Sequence, residues 1–233
     1  MSKNAELKKI VDEVGENLIW RPLFDFENNS LASGVGRNID GIDPEFTSLD
    51  FKGKSVCDLG CNLGHFSFHA IRNGAARVVG YDEEPRVVAG ASRLAGLYGI
   101  DNVEFKVCDF ASEEPDEIFD MGMLIDILGK QNISGGHLVS ILKGLEKRSG
   151  SEMLLTFRSF YLVERHLNMS EADFLKMYPG AKIEGGFFNL LDFVKELFSE
   201  NWVPAYLSKA QPVTKQHKHT AFFVRRNACN SRS

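Results

Sequence analysis

Ser55-Val56-Cys57-Asp58-Leu59-Gly60-Cys61-Asn62-Leu63-Gly64-His65-Phe66 reads as an apolar strand that runs into a glycine-bearing turn and then into a helix. Glycines at 60 and 64 let the backbone turn sharply and approach a ligand closely, and the amides that open the helix after Gly64 have no intrahelical partners. A nucleotide-like ligand binds at such a place in open α/β sheets. A second strand, Arg77-Val78-Val79-Gly80-Tyr81, ends on Asp82. A carboxylate at that strand tip, about twenty residues past the turn, is placed to accept hydrogen bonds from a ribose diol. Glu83 beside it either shares the diol or is solvated.

Outward from this pair the elements alternate. A helix over 64–73 is stopped by Gly74, and another runs from Pro85 to about Tyr98 with Gly99 at its end. Val103 to Cys108 is a third strand, ending on Asp109; Phe119 to Ile125 is a fourth, ending on Asp126. A helix over 136–147, a strand over 151–157, a helix over 190–199 and strands over 202–207 and 220–225 complete the pattern. Such alternation predicts a parallel sheet with helices on both faces and a crevice beyond the carboxyl ends of its strands. Asp58, Asp82, Asp109 and Asp126 then share one edge. Before the first strand come a helix to about Leu18, an aromatic stretch from Trp20 to Phe26, a mobile loop over 28–36, and Arg37 within reach of either ligand.

The chain has 233 residues, 43% hydrophobic and 25% charged, with a formal net charge of −5. That suits one soluble α/β domain with decorations, and no apolar run reaches the roughly 18 residues of a membrane span. The polar amino terminus lacks an apolar signal core, so a cytoplasmic protein is expected. Cys57, Cys61, Cys108 and Cys229 contain no C-x-x-C pair and read as reduced thiols. His65 and His69 have the spacing of a metal pair but no third ligand, so no metal is expected. The acidic balance argues against a broad nucleic-acid surface, and the local cluster Lys209, Lys215, His217, Lys218 and His219 reads as a solvated hairpin tip.

Two cofactor classes share this geography. A dinucleotide fingerprint needs G-x-G-x-x-G, and Gly60-Cys61-Asn62-Leu63-Gly64-His65 lacks both its middle glycine and its final spacing, which disfavours a nicotinamide oxidoreductase. Asp58-Leu59-Gly60-Cys61-Asn62-Leu63-Gly64 instead resembles the first motif of the class I, Rossmann-like S-adenosylmethionine-dependent methyltransferases, an acidic residue followed by G-x-G-x-G. Asn62 stands for the usual central glycine, and asparagine tolerates left-handed backbone angles.

The resemblance covers about residues 50 to 226. It implies a three-layer α/β/α sandwich whose seven-stranded, mostly parallel sheet ends in an antiparallel strand. The organisation would be a helical cap over 1–50, a cofactor-binding domain over 51–226 with an acceptor-side insertion over 158–188, and a tail over 227–233. S-adenosylmethionine would be the cofactor, leaving as S-adenosylhomocysteine. The implied cofactor residues are Asp58, Gly60, Cys61, Asn62, Gly64, Asp82, Glu83, Asp109, Phe110 and Asp126. Asp58 sits near the sulfonium or anchors the turn, and Asp109 with Phe110 meets the adenine.

The chemistry implied is displacement of a methyl group onto an oxygen, nitrogen or carbon nucleophile. Asp126 and His166 are the first candidates for a general base, ahead of His137, although Asp126 also suits a helix cap. Arg158, Tyr161 and Arg165 are the acceptor-binding candidates, suited to an anionic or aromatic group. A small-molecule acceptor is the leading expectation. A weaker likeness over the first two strands to wobble-uridine tRNA-modifying enzymes makes tRNA an alternative, and a catalytically silent cofactor-binding module is another. Oligomeric state is not readable.

Overall fold

Residues 2–36, 49–207 and 218–226 are described by the computed structural model of the chain. Arg37, Lys209, Lys215, His217, Cys229 and the tail over 227–233 lie outside them, and Lys218 and His219 begin a strand. The chain divides into two compact units, Met1–Glu113 and Glu114–Ser233.

In the first unit, helix α1 (Lys3–Val14) is capped by Ser2, whose hydroxyl accepts from the Ala5 amide. Its Leu7, Ile10, Val11 and Val14 recur at helical spacing and are buried. Gly15, at φ 88°, ends it before the expected Leu18, and a single 3₁₀ turn, Glu16–Leu18, follows. The hairpin β1 (Leu23–Phe24) and β2 (Ser30–Ala32) replaces part of the loop expected over 28–36, with Leu23 paired to the buried Ala32.

Strand β3 (Ser55–Leu59), helix α2 (His65–Arg72), strand β4 (Arg77–Asp82), helix α3 (Pro85–Tyr98) and strand β5 (Val103–Val107) come next. β3 pairs with β4 and β4 with β5, both parallel, with Val56 opposite Val78 and Val78 opposite Val103. The buried face of α1 joins Val87, Ala91 and Leu94 of α3 in one cluster with Leu63, Phe68 and Phe105. Arg93 of α3 also bonds Glu6 and Glu13 of α1. The amino-terminal helix is therefore part of this unit's core.

The second unit holds strand β6 (Phe119–Leu128), helices α4 (Lys130–Ser134) and α5 (Leu138–Arg148), strand β7 (Ser149–Arg158), strand β8 (Phe160–Leu162), a π-helical turn (Val163–Leu167), helix α6 (Glu171–Met177), strands β9 (Ile183–Glu184) and β10 (Phe187–Asn189), helix α7 (Leu190–Phe198), and strands β11 (Trp202–Leu207) and β12 (Lys218–Arg225). β6 and β7 are parallel and almost continuously buried, as strands covered on both faces are. β12 runs antiparallel to both β7 and β11. The insertion expected over 158–188 folds as a small sheet in the order β8-β10-β9, with the π turn and α6.

The main sheet has the order β11-β12-β7-β6-β3-β4-β5 and is flanked by helices, the expected seven-stranded, mostly parallel architecture with an antiparallel last strand. No described helix is long and apolar enough to cross a membrane.

Candidate functional site

The glycine turn is bound to the tip of β4. The Gly60 and Cys61 amides donate to the Tyr81 carbonyl at 2.8 and 3.0 Å, and the Asn62 amide donates to Asp82 Oδ2 at 3.0 Å. The Glu84 amide donates to Asp82 Oδ1 at 3.1 Å. Burial raises the Asp82 carboxyl above its usual value, and these backbone donors pull the other way. Glu83 is exposed beside it. Gly60, Asn62 and Gly64 all have positive φ, 74°, 49° and 80°, so the turn needs residues that tolerate left-handed angles.

Other residues expected around a ligand serve the scaffold. A Cβ at Gly64 would lie 2.5 Å from Phe105 Cζ, and one at Gly80 would lie 2.6 Å from Phe105 Cδ1. Gly64 therefore makes room for a core ring as well as for the turn. Asp58 is 1% exposed and accepts from the Ser67 hydroxyl at 2.6 Å, tying β3 to α2. Burial pushes its carboxyl up to about 6, Ser67 opposes that, and the neighbouring Asp82 charge adds to it. Cys61 is buried against Gly80, and burial raises its thiol well above the ordinary range. Asp109 is exposed, and its carboxylate accepts from the Ala111 amide at 3.1 Å and the Ser112 hydroxyl at 2.6 Å, shaping the turn that carries the half-buried Phe110.

In the second unit, Asp126 sits at φ 64° where the register of β6 against β7 shifts between Ile125 and Leu128. Its amide donates to Thr156 Oγ1 at 3.0 Å, and that hydroxyl donates back to Asp126 Oδ1 at 3.2 Å. The helix-cap expectation for Asp126 fails, because α4 starts after Gly129 with no side-chain cap.

His166 is a structural acceptor. Both the Leu162 amide, at 2.9 Å, and the Arg158 guanidinium, at 3.0 Å, approach Nδ1, and both can only donate. Nδ1 is therefore unprotonated and its lone pair is engaged. Burial, then Arg158, Arg165 and Lys130, lower the imidazole's pKa. The general-base expectation for His166 is corrected on this ground. Tyr161 is likewise withdrawn from acceptor binding: it is buried, its hydroxyl donates to the Leu128 carbonyl at 3.1 Å, and burial pushes its pKa up to about 12. Arg158 stacks over the Tyr161 ring at 5.1 Å, whereas Arg165 and His137 are exposed.

A groove of about 890 Å³ runs beside β8, β10 and α7, walled by Phe160, Phe187, Phe193 and Trp202 with Lys182 and Lys195. Such a volume accommodates a small molecule. Sequence reading did not find it, nor Thr156, because strand pairing assembles both from distant residues.

Comparison with known proteins is consistent with this geometry. Residues 50–198 match the family model described as a methyltransferase domain. The chain is 31% identical over 106 residues to the ribosomal protein L11 methyltransferase of Vibrio cholerae, a stretch that is 44% of this chain and 33% of that protein. The chain thus spans about a third of the curated relative's length. Among solved structures it resembles the magnesium protoporphyrin IX methyltransferase of Synechocystis PCC 6803 with bound S-adenosylhomocysteine, at 18% identity and TM-score 0.56 over 79% of this chain and 81% of that one. It also resembles the N-methyltransferase NodS of Bradyrhizobium japonicum, at 13% identity and TM-score 0.55 over 79% and 93%.

Proposed function

The chain belongs to the methyltransferase-domain family, and from that premise we propose that it transfers a methyl group from S-adenosylmethionine to an oxygen, nitrogen or carbon nucleophile of a small-molecule acceptor. The observation that carries this reading is the hydrogen-bonded unit of glycine turn and Asp82. Asp82 accepts from the Asn62 and Glu84 amides, one on each oxygen, and the Glu83 amide also favours its charged form; a carboxylate offers about four acceptor sites, so capacity remains for a ribose hydroxyl. The turn lacks the middle glycine and the final spacing of a dinucleotide fingerprint, which favours an adenosyl donor over a pyrophosphate.

Bound in that cradle, S-adenosylmethionine supplies an electrophilic methyl group on a positively charged sulfur. The protein's share is alignment and exclusion of water. Where the nucleophile must lose a proton, Asp126 holds it on a carboxylate oriented by Thr156. Arg158 and the exposed Arg165 favour an acceptor with an anionic group. The net charge of −5 counts against extensive tRNA contact. The named relatives act on a ribosomal protein and on a porphyrin, so likeness does not select the acceptor.

Isothermal titration with S-adenosylmethionine, S-adenosylhomocysteine and NADH, repeated with Asp82→Ala, tests the reading. Selective adenosyl binding weakened by the substitution is the expected result, and NADH binding or no adenosyl binding overturns it. An acceptor screen with no turnover in a protein that does bind the donor would favour the silent module.

A further inference from the structure

A glycine at position 62 would meet the left-handed angle with no strain, so the asparagine must be explained by its side chain. Asn62 Nδ2 donates to the Leu18 carbonyl at 2.8 Å, and Oδ1 accepts from the Trp20 amide at 3.0 Å. Leu18 can only accept there and Trp20 can only donate, so the orientation of the amide is fixed. The same residue's backbone amide holds Asp82. The segment it grips is backed by Val35, whose amide donates to the Ile19 carbonyl at 2.9 Å, and by Gly36, whose amide donates to the Trp20 carbonyl at 2.8 Å. A Cβ at Gly36 would lie 2.8 Å from the Trp20 indole nitrogen. The next residue, Arg21, is 6% exposed, and its guanidinium lies 5.0 Å over the ring of Phe66, the second residue of α2. One residue thus joins the amino-terminal segment, the glycine turn and the Asp82 carboxylate.

We propose that Asn62 is a positioning residue for the methyl donor: its amide locks the segment over 18–21 onto the glycine turn, so that Trp20 and Arg21 wall the donor pocket and segment and turn tighten together when the donor binds. This rests on the reading of the site as an S-adenosylmethionine pocket. The lock itself does not.

The test combines S-adenosylhomocysteine titration with amide hydrogen exchange of the full chain, for the parent, Asn62→Gly, Arg21→Gln and the double variant. In the parent the ligand slows exchange at Ile19 and Trp20. In Asn62→Gly the Trp20 amide exchanges faster without ligand, the ligand no longer protects it, and the dissociation constant rises about tenfold, the scale of two lost hydrogen bonds. The double variant binds no worse than the weaker single variant, because both changes undo one wall. Should Asn62→Gly lower the unfolding midpoint, Asn62→Asp keeps the acceptor for Trp20, loses the donor to Leu18, and gives a smaller effect of the same sign. A parent that binds while Asn62→Gly binds equally well, or losses that multiply in the double variant, overturn the positioning role alone. A parent that does not bind overturns the donor reading and the positioning role with it, while exchange without ligand still reads the lock.

Discussion

Asp82 ends a parallel strand and Asp126 lies two residues short of the end of another, and the two are held by different means. Asp82 closes a regular strand and is gripped by backbone amides, those of Asn62 and Glu84 at 3.0 and 3.1 Å with that of Glu83 beside them, within the burial that raises its pKa. Asp126 stands in a bulge at φ 64°, where the Thr156 hydroxyl both accepts from its amide and donates to its carboxylate. The first is a rigid acceptor suited to a ligand that does not react. The second stores backbone strain, of order 1–2 kcal/mol for a residue other than glycine, at a strand end, where strain and bulges accompany function. Removing the rigid member should have the largest effect. Asp82→Ala is expected to weaken S-adenosylhomocysteine about a hundredfold, near 3 kcal/mol, read by titration calorimetry. Asp126→Ala should leave that affinity within about threefold. Equal losses would erase the distinction between the two carboxylates.

A third carboxylate near a strand end, Asp58, extends the comparison, because it is buried and accepts from the Ser67 hydroxyl at 2.6 Å. Its folded value of about 6 lies above the unfolded one, so the folded state binds the proton more tightly. Its contribution to stability is therefore full below about pH 4 and is lost as pH rises through about 6. The shift corresponds to about 2 to 3 kcal/mol. Asp58→Asn keeps an acceptor for Ser67 and removes the titration. Urea unfolding of parent and variant at pH 4 and pH 7.5 should show the parent losing about that much relative to the variant at the higher pH. A difference that does not change with pH would place the proton elsewhere.

The strain at Asp126 is itself measurable. Asp126→Gly relieves the left-handed angle while losing the bond to Thr156, and Asp126→Ala loses the bond and keeps the strain. The alanine variant should be less stable than the glycine variant by about 1 kcal/mol in urea unfolding, although glycine is ordinarily the costlier residue in a strand. The reverse order would mean that the bulge relaxes.

What the sequence disclosed follows the range of the forces involved. Helix α3 was legible from Pro85 to Tyr98 because its limits are local: proline at the first turn, and Gly99 at φ 67° after the last. The turn from β3 to α2 was legible for the same reason. The overrun of β6 past Ile125 was not, since a left-handed aspartate in a bulge carries no local signature and is set by pairing with β7. The segment over 28–36 was misread because the turn residues around Asn28 hide a short strand whose partner is Leu23. Asn62 divides the two cases within one residue. Its backbone angle was readable from its type, whereas its amide partners lie 42 and 44 positions away. In the insertion, His166 and Tyr161 were chosen for their chemistry, but pairing of β8 with β10 and the π turn commits both to the scaffold.

Thr156 offers the finest probe of the two carboxylates. It is 1% exposed, and its hydroxyl is the contact that distinguishes the Asp126 bulge from the regular end of β4. Thr156→Val preserves shape and β-branching, removes one acceptor and one donor, and leaves the Asp126 amide without that partner. About 1 kcal/mol of stability should be lost, the low end for the two hydrogen bonds removed, and Thr156→Ser should retain most of it. The double variant Asp126→Gly with Thr156→Val decides whether the hydroxyl serves the aspartate or only its backbone. A hydroxyl that serves the carboxylate gives a combined loss smaller than the sum, because the first change has already removed part of what the second would cost. Additive losses would assign Thr156 to the backbone of the bulge alone.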